Sequence, residues 1–257
     1  MDLYRRYGPA PYRIIVIHGG PGAPGYMKPV AEELSTESGV VEPLLSEDSI
    51  EGQLAELKKT VDDICDTPVH MIGHSWGAWL GLIYTVEFAD DVKKLILLNS
   101  GPFEQRYKEE IRKNRTDRLD HEERKEFIQL SKIIDEGDYD ENVIERYIEL
   151  VEKADSFDPV SFKNELIEFQ PDVNKKVWRE AERMRKSGKL MSYAEKIDCP
   201  VVAIHGEYDP HPFEGVEIPL SDVVNDFKFI LIEDCGHYPW REKKANREFY
   251  RKLRDEL

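Results

Sequence analysis

Residues 69–86 read Val69-His70-Met71-Ile72-Gly73-His74-Ser75-Trp76-Gly77-Ala78-Trp79-Leu80-Gly81-Leu82-Ile83-Tyr84-Thr85-Val86. The apolar run Val69 to Ile72 predicts a short buried strand. Gly73-His74-Ser75-Trp76-Gly77 fits the pattern G-x-S-x-G, and an apolar, helix-length segment follows to about Val86. Strand, sharp turn and helix form the context in which a serine is lifted onto strained backbone. The residues two positions away on either side must then lack side chains, and Gly73 and Gly77 fill those places. The hydroxyl of Ser75 is expected at the carboxyl edge of a sheet, over a helix start.

Working outward, other short strands alternate with helical segments. Ile14 to Ile17 is a β-branched strand that runs into His18-Gly19-Gly20-Pro21-Gly22. Gly39 to Leu45 reads as a weaker strand, and Pro43 suggests an edge position for it. Ser49 reads as a helix N-cap, with Leu54, Leu57, Val61 and Ile64 at helical spacing behind it. Leu95 to Leu98, Val201 to Ile204 and Phe227 to Ile232 are further strands, and Ala245, Phe249 and Leu253 mark one face of a closing helix. This rhythm predicts an α/β fold, a mostly parallel, doubly wound sheet with helices on both faces. In such sheets the chemistry gathers at the carboxyl ends of the strands.

Between Phe103 and Tyr193 the texture changes. No strand-like run appears, and charged amphipathic segments take over. Phe127, Leu130, Ile133 and Ile134 share one helical face, as do Ile144, Tyr147, Ile148 and Val151. Asp158-Pro159 and Gln170-Pro171 mark breaks, and Trp178 and Met184 lie on a basic helix ending near Gly188. The expected organisation is a core of residues 1–102 and 194–257 with a helical cap, 103–193, inserted into it.

Composition narrows the classes of function. The 257 residues carry a formal net charge of −16, which repels phosphate backbones and argues against nucleic acid as a partner. Cys65, Cys199 and Cys235 are scattered without a C-x-x-C pair, which suggests neither a zinc site nor a disulfide framework. The first residues lack the apolar core of a signal peptide, and no apolar run approaches the roughly 20 residues of a membrane helix. A cytoplasmic location without membrane contact is the expectation. The residues set no oligomeric state.

Three polar side chains follow three different strands in the order Ser75, Asp209, His237. A neutral serine hydroxyl is a weak nucleophile. It needs a histidine to take its proton and a carboxylate to hold that imidazole in the right tautomer. Ser75 is therefore the candidate nucleophile, His237 the base and then the acid, and Asp209 the orienting group. Glu207 and Asp234 are rivals for the acid. An oxyanion would be held by the backbone N–H of Trp76 and by that of Gly20, with Gly19 as the alternative. His205, Asp209 and His211 can also be read as a metal cluster; the triad takes precedence, and neither a metal nor an organic cofactor is expected. His18 and His74 are expected to be structural.

With these residues in place, the chain resembles the α/β-hydrolase superfamily, and within it the proline iminopeptidase-like group. His18-Gly19-Gly20-Pro21-Gly22 matches that group's H-G-G-P-G loop, Gly73-His74-Ser75-Trp76-Gly77 its G-x-S-W-G elbow, and the insertion its helical cap. Two departures stand out. Only about a dozen residues precede Ile14, so the N-terminal strands are expected to be reduced. The segment Leu44 to Gln53 replaces the family's D-x-R-G-x-G-x-S. The resemblance implies a serine hydrolase that cleaves a small-molecule ester or amide through an acyl-enzyme, aminopeptidase-like or purely an esterase. Epoxide hydrolase and dehalogenase relatives need a carboxylate where Ser75 stands. A non-catalytic ligand-binding protein on the same scaffold is the reading from another class. Aminopeptidases of the group hold the substrate amine with cap carboxylates. Glu145, Glu149, Glu165 and Glu168 belong to this cap, and none is singled out.

Overall fold

A computed structural model describes residues 3–137, 139–160 and 169–257. Seven strands form one sheet: β1 (Tyr4–Tyr7), β2 (Tyr12–Ile17), β3 (Gly39–Pro43), β4 (Val69–His74), β5 (Val92–Leu98), β6 (Val201–Gly206) and β7 (Phe227–Ile232). Their order across the sheet is β1-β3-β2-β4-β5-β6-β7. Only β1 runs antiparallel to its neighbour; the other pairings are parallel.

The parallel strands are buried on both faces, and side-chain alternation divides them between two apolar layers. Ile15, Ile17, Met71, Leu95, Leu97 and Ala203 point to one layer. It is covered by α2 (Ile50–Ile64), α3 (Trp76–Glu87), α8 (Lys189–Ala194) and α9 (Glu214–Val223). Ile14, Val16, Ile72, Ile96, Leu98 and Ile204 point to the other, beneath α1 (Lys28–Leu34) and α10 (Ala245–Arg254). Phe249 and Leu253 of α10 are fully buried there, as their spacing predicts.

The N-terminal strands are reduced, as expected, to one antiparallel strand, β1. One expectation needs correction: β3 lies between β1 and β2 and is not an edge strand. Pro43 is tolerated because it is the last residue of β3, opposite Tyr4, where the ladder ends; the next N–H, that of Leu44, donates to the Leu3 carbonyl at 2.9 Å. The sequence does not announce the helix α9, since Pro219 lies inside it. A proline there removes the bond to the carbonyl four residues back. That carbonyl, on Gly215, accepts instead from the Phe103 N–H at 2.9 Å.

Between β5 and β6 lie α4 (Lys108–Arg118), α5 (His121–Glu136), α6 (Glu141–Asp155) and α7 (Pro171–Lys186). Pro171 opens α7, where its missing N–H costs nothing. Among the described residues, α4 to α6 enclose a small seam of their own, Leu119, Phe127, Leu150 and Ala154. By contrast α7 sends Val177 and Ala181 into the main apolar layer. α8 runs across the expected boundary after Tyr193 and packs on α3. No described helix is long and apolar enough to cross a membrane.

Candidate active site

The carboxyl ends of β2, β4, β5, β6 and β7 are held in register. The Ser75 N–H donates to the Leu98 carbonyl at 2.9 Å, Asn99 N–H to Ile204 at 2.9 Å and Glu207 N–H to Ile232 at 2.9 Å. Side chains that immediately follow these strands therefore meet at one rim.

Ser75 follows β4 with φ 52° and ψ −112°, a strained backbone for a residue with a side chain. The strain is held in place by close packing. A Cβ on Gly73 would run into the Gly77 carbonyl, and one on Gly77 would lie 2.5 Å from the Ile17 carbonyl oxygen. Trp76 opens α3, so its N–H is one of the donors that a helix start leaves without a carbonyl of its own. The indole of Trp76 donates to Gln53 Oε1 at 3.0 Å, and Gln53 is fully buried. The segment Leu44 to Gln53, which departs from the pattern the sequence otherwise resembles, thus supplies a prop for the elbow.

Asp209 follows β6 and His237 follows β7. His237 Nδ1 lies 2.7 Å from Asp209 Oδ2, and both residues are buried. Of the rivals, Glu207 and Asp234 are exposed. The loop of His237 is fixed from several sides. Its N–H donates to the Asp155 carbonyl at 2.7 Å, and its own carbonyl lies 2.9 Å from His74 Nε2. Glu242, buried, accepts from the N–H groups of Gly236 at 3.0 Å and Phe157 at 2.9 Å.

Ser75, Trp76, Gly20 and Gly19 line one cavity of about 250 Å³ together with His237 and His211. Among the described residues the Ser75 hydroxyl takes no hydrogen-bond partner, so it is open to this cavity rather than bonded to His237. The remaining walls are largely aromatic: Tyr26, Tyr147, Trp178 and Tyr238, with Arg115 and Asn174. No aspartate or glutamate lines it among the described residues. Arg115 is held by Asp155 in a two-pronged pair, Nε–Oδ1 and Nη2–Oδ2 both 2.7 Å. α7 clamps the glycine loop: Asn174 Nδ2 donates to the Pro21 carbonyl at 2.9 Å and Gln170 N–H to the Gly22 carbonyl at 2.8 Å.

Burial alone would raise the Asp209 carboxyl. His237, His211 and His205 around it outweigh burial and hold it well below the usual carboxylate range. Burial lowers His74, and the nearby His237 adds to this. His18 is lowered by burial too, and its Nδ1 lies 3.0 Å from the Gly19 carbonyl. Both are placed as internal props of the site.

Two groups beside Asp209 went unread in this role. Asn99, at φ 43°, donates to Asp209 Oδ2 at 2.8 Å and to the Gly236 carbonyl at 3.1 Å. His211 donates its backbone N–H to Asp209 Oδ1 at 2.9 Å, and its Nδ1 lies 2.8 Å from the same oxygen. A polar residue right after a buried strand is the sequence signal for Asn99; from sequence His211 reads only as a metal ligand. Candidate ligand atoms of Asp209, His211 and His237 do lie within 4.8 Å of one another. The two imidazole nitrogens nearest the carboxylate are engaged with it as donors, however, which suits a hydrogen-bonded cluster better than a cation. His205 lies outside this trio; its Nε2 is 3.0 Å from the His211 carbonyl. Glu145 and Glu149 are absent from the cavity wall, and Glu165 and Glu168 lie outside the described residues.

Known proteins share this fold. Residues 14–251 match the model of the alpha/beta hydrolase family. The proline iminopeptidase of Heyndrickxia coagulans is 24% identical over 260 residues, 90% of this chain and 85% of that protein. Among solved structures, the proline iminopeptidase of Mycobacterium smegmatis aligns with a TM-score of 0.65 at 19% identity, over 98% of this chain and 92% of its own. The monoacylglycerol lipase of Paleococcus ferrophilus aligns with a TM-score of 0.64 at 15% identity, over 99% and 98%. A match that spans nearly the whole sheet, with the elbow and the glycine loop inside it, settles the kinship: the chain belongs to the alpha/beta hydrolase family.

Proposed function

We propose that this hydrolase is a serine hydrolase that cleaves carboxylic esters through an acyl-enzyme. The reading is carried by the bonded pair Asp209–His237 at the cavity that Ser75 opens into. His237 takes the Ser75 proton through Nε2 while Asp209 holds Nδ1–H and stabilises the imidazolium. Ser75 Oγ bonds to the carbonyl carbon, and the oxyanion is met by the N–H groups of Trp76 and Gly20. Loss of one such donor costs about 3 kcal/mol of barrier. His237 then returns the proton to the leaving alkoxide, and water repeats the sequence on the acyl-enzyme.

The lining supports an ester over a peptide with a free amine. A free amine asks for a carboxylate, and the cavity wall has none among the described residues. An adjoining cavity of about 500 Å³ has Glu152 and Glu182 in its wall. Both are engaged, Glu152 by Tyr26 and Arg241 and Glu182 by Lys108. That wall also carries Ile134, Ile144, Ile148, Val151 and Phe169, which suits an apolar acyl chain. The kinship with proline iminopeptidases keeps the amide reading as the second.

Paired assays separate the readings. A p-nitrophenyl ester is expected to be turned over, and a proline anilide is not. A fluorophosphonate probe labels the protein, and Ser75→Ala removes both labelling and turnover, by about 10⁴-fold or more. Anilide turnover without ester turnover would favour the peptidase. No labelling and no turnover would favour a ligand-binding protein.

A further inference from the structure

We infer that His211 is a positioning residue of the proton relay: it shares the Asp209 carboxylate with His237 and so tempers how strongly that carboxylate supports a protonated His237. This rests on Ser75 and His237 acting together as proposed above.

The geometry shares the carboxylate between the two imidazoles, with His205 Nε2 also 3.4 Å from Oδ2. Oδ2 receives His237 Nδ1 at 2.7 Å and Asn99 Nδ2 at 2.8 Å. Oδ1 receives the His211 N–H at 2.9 Å and His211 Nδ1 at 2.8 Å. A carboxylate has about four acceptor sites, so Asp209 is fully used. With Asp209 ionised, each imidazole must carry its proton on the nitrogen that faces it. Both Nε2 atoms then hold lone pairs. The two rings lie close, with centroids 4.5 Å apart and planes tilted by 34°.

His211 is itself held in register from β6. His205 Nε2, 3.0 Å from the His211 carbonyl, fixes the turn that presents its ring. Burial pushes the His211 imidazole down to about 4, and its neighbours His237 and Arg115 add to this. It is therefore neutral at pH 7. It withdraws negative charge from Asp209 by hydrogen bonding alone. Removal of that bond leaves a carboxylate with more charge for His237, and an opposite charge favours the protonated imidazole. The other charged and titratable groups around the trio stay as they are: His74 after β4, Arg115 and Arg118 on α4, His205 on β6, Glu214 on α9, and Cys235 and Tyr238 beside His237.

Two measurements test this. The first uses the unaltered protein: ¹⁵N chemical shifts of the histidine rings at pH 7. His211 and His237 are both expected as the Nδ1–H tautomer. A His211 that is protonated on Nε2, alone or on both nitrogens, overturns the inference, whatever the activity. The second is the pH profile of kcat/KM on the p-nitrophenyl ester. In His211→Leu the acid limb moves to higher pH by about half to one unit. His211→Asn places an amide N–H where Nδ1 stood and keeps the limb near that of the parent. An unmoved limb in the leucine variant, or an equal shift in both variants, overturns it. If the parent protein turns over neither ester nor anilide and takes no fluorophosphonate label, the serine-hydrolase reading fails instead, and the tautomers still judge His211.

Discussion

The sheet below Ser75 and the helices above it are built on different terms. Below, every parallel strand sends alternate residues into one of two apolar layers. Above, α4 to α6 share only Leu119, Phe127, Leu150 and Ala154 as buried apolar residues among those described. Two of these helices start on local signals, while α4 has no side-chain cap. Asp120 and Glu123 form a capping box at α5, and Asp140 caps α6. α3, in the core, has no side-chain cap at all and begins on the strained Ser75. The lesson is that burial fixes the strained turn at Ser75, while α4 to α6 share a short apolar seam and are tied down at a few points. One tie is Arg115–Asp155, whose backbone carbonyl also holds the His237 N–H.

The largest expected effect follows from that contrast. Leu97 on β5 and Leu150 on α6 are equally buried, at 0% and 1% exposure. Leu97→Ala leaves a cavity in a layer that cannot collapse, and costs about 4 kcal/mol of global stability. Leu150→Ala is expected to cost less, and to speed amide exchange in α5 and α6 while the strands stay protected. Denaturant melts and hydrogen exchange on the two variants measure this. Equal losses in one shared transition would erase the distinction between the regions.

This difference also explains what could be read in advance. Ile14 to Ile17 and Leu95 to Leu98 are legible because a parallel strand needs no partner's identity to look buried. Ser75, Asp209 and His237 are legible because each follows such a strand. Asn99 and His211 touch the same carboxylate, but their roles depend on residues 110 and 2 positions away meeting in space. His211 is near in sequence, yet nothing in the order of residues says which way its ring turns. Pro43 misled because a proline at the end of a strand and one at the edge of a sheet look alike. Pro219 hid α9 because the acceptor it frees is satisfied from Phe103, far away in the chain.

Acid should sharpen the comparison. Five of the seven histidines, His18, His70, His74, His205 and His211, are held below their ordinary value, burial being the first cause in each. All five lie in the core. The unfolded chain takes up these protons first, near pH 6.5, while the folded His70 and His211 wait until about 4. Their contribution is therefore fully present above about pH 6.5 and is lost as the pH falls towards 4. For His211 alone, the gap between 6.5 and about 4 corresponds to about 3 kcal/mol. Thermal melts between pH 7 and 4.5 are expected to fall steeply, with a shallower slope in His211→Asn. Amide exchange in α5 and α6 should keep pace only once the core itself opens. Exchange that rises in α5 and α6 before it rises in the strands over this range would mean that acid acts elsewhere than on the buried histidines.

The smallest effect tests whether the cap's many charges hold it together. Arg146 on α6 bridges Glu126 at 2.8 Å and Glu149 at 2.9 Å, but its side chain is 42% exposed and theirs 40% and 66%. Such pairs gain little in water, because solvent and salt screen them and two long side chains must be ordered. Arg115 differs in kind. Its partner Asp155 is fully buried, so removal of the guanidinium would strand a charge away from water. Arg146→Ala is therefore expected to move Tm by no more than about 2 °C, and half-molar salt should do as little to the parent protein. A fall of several degrees, abolished by salt, would mean that the cap stands on its surface network rather than on helix caps, a short apolar seam and the Arg115 tie.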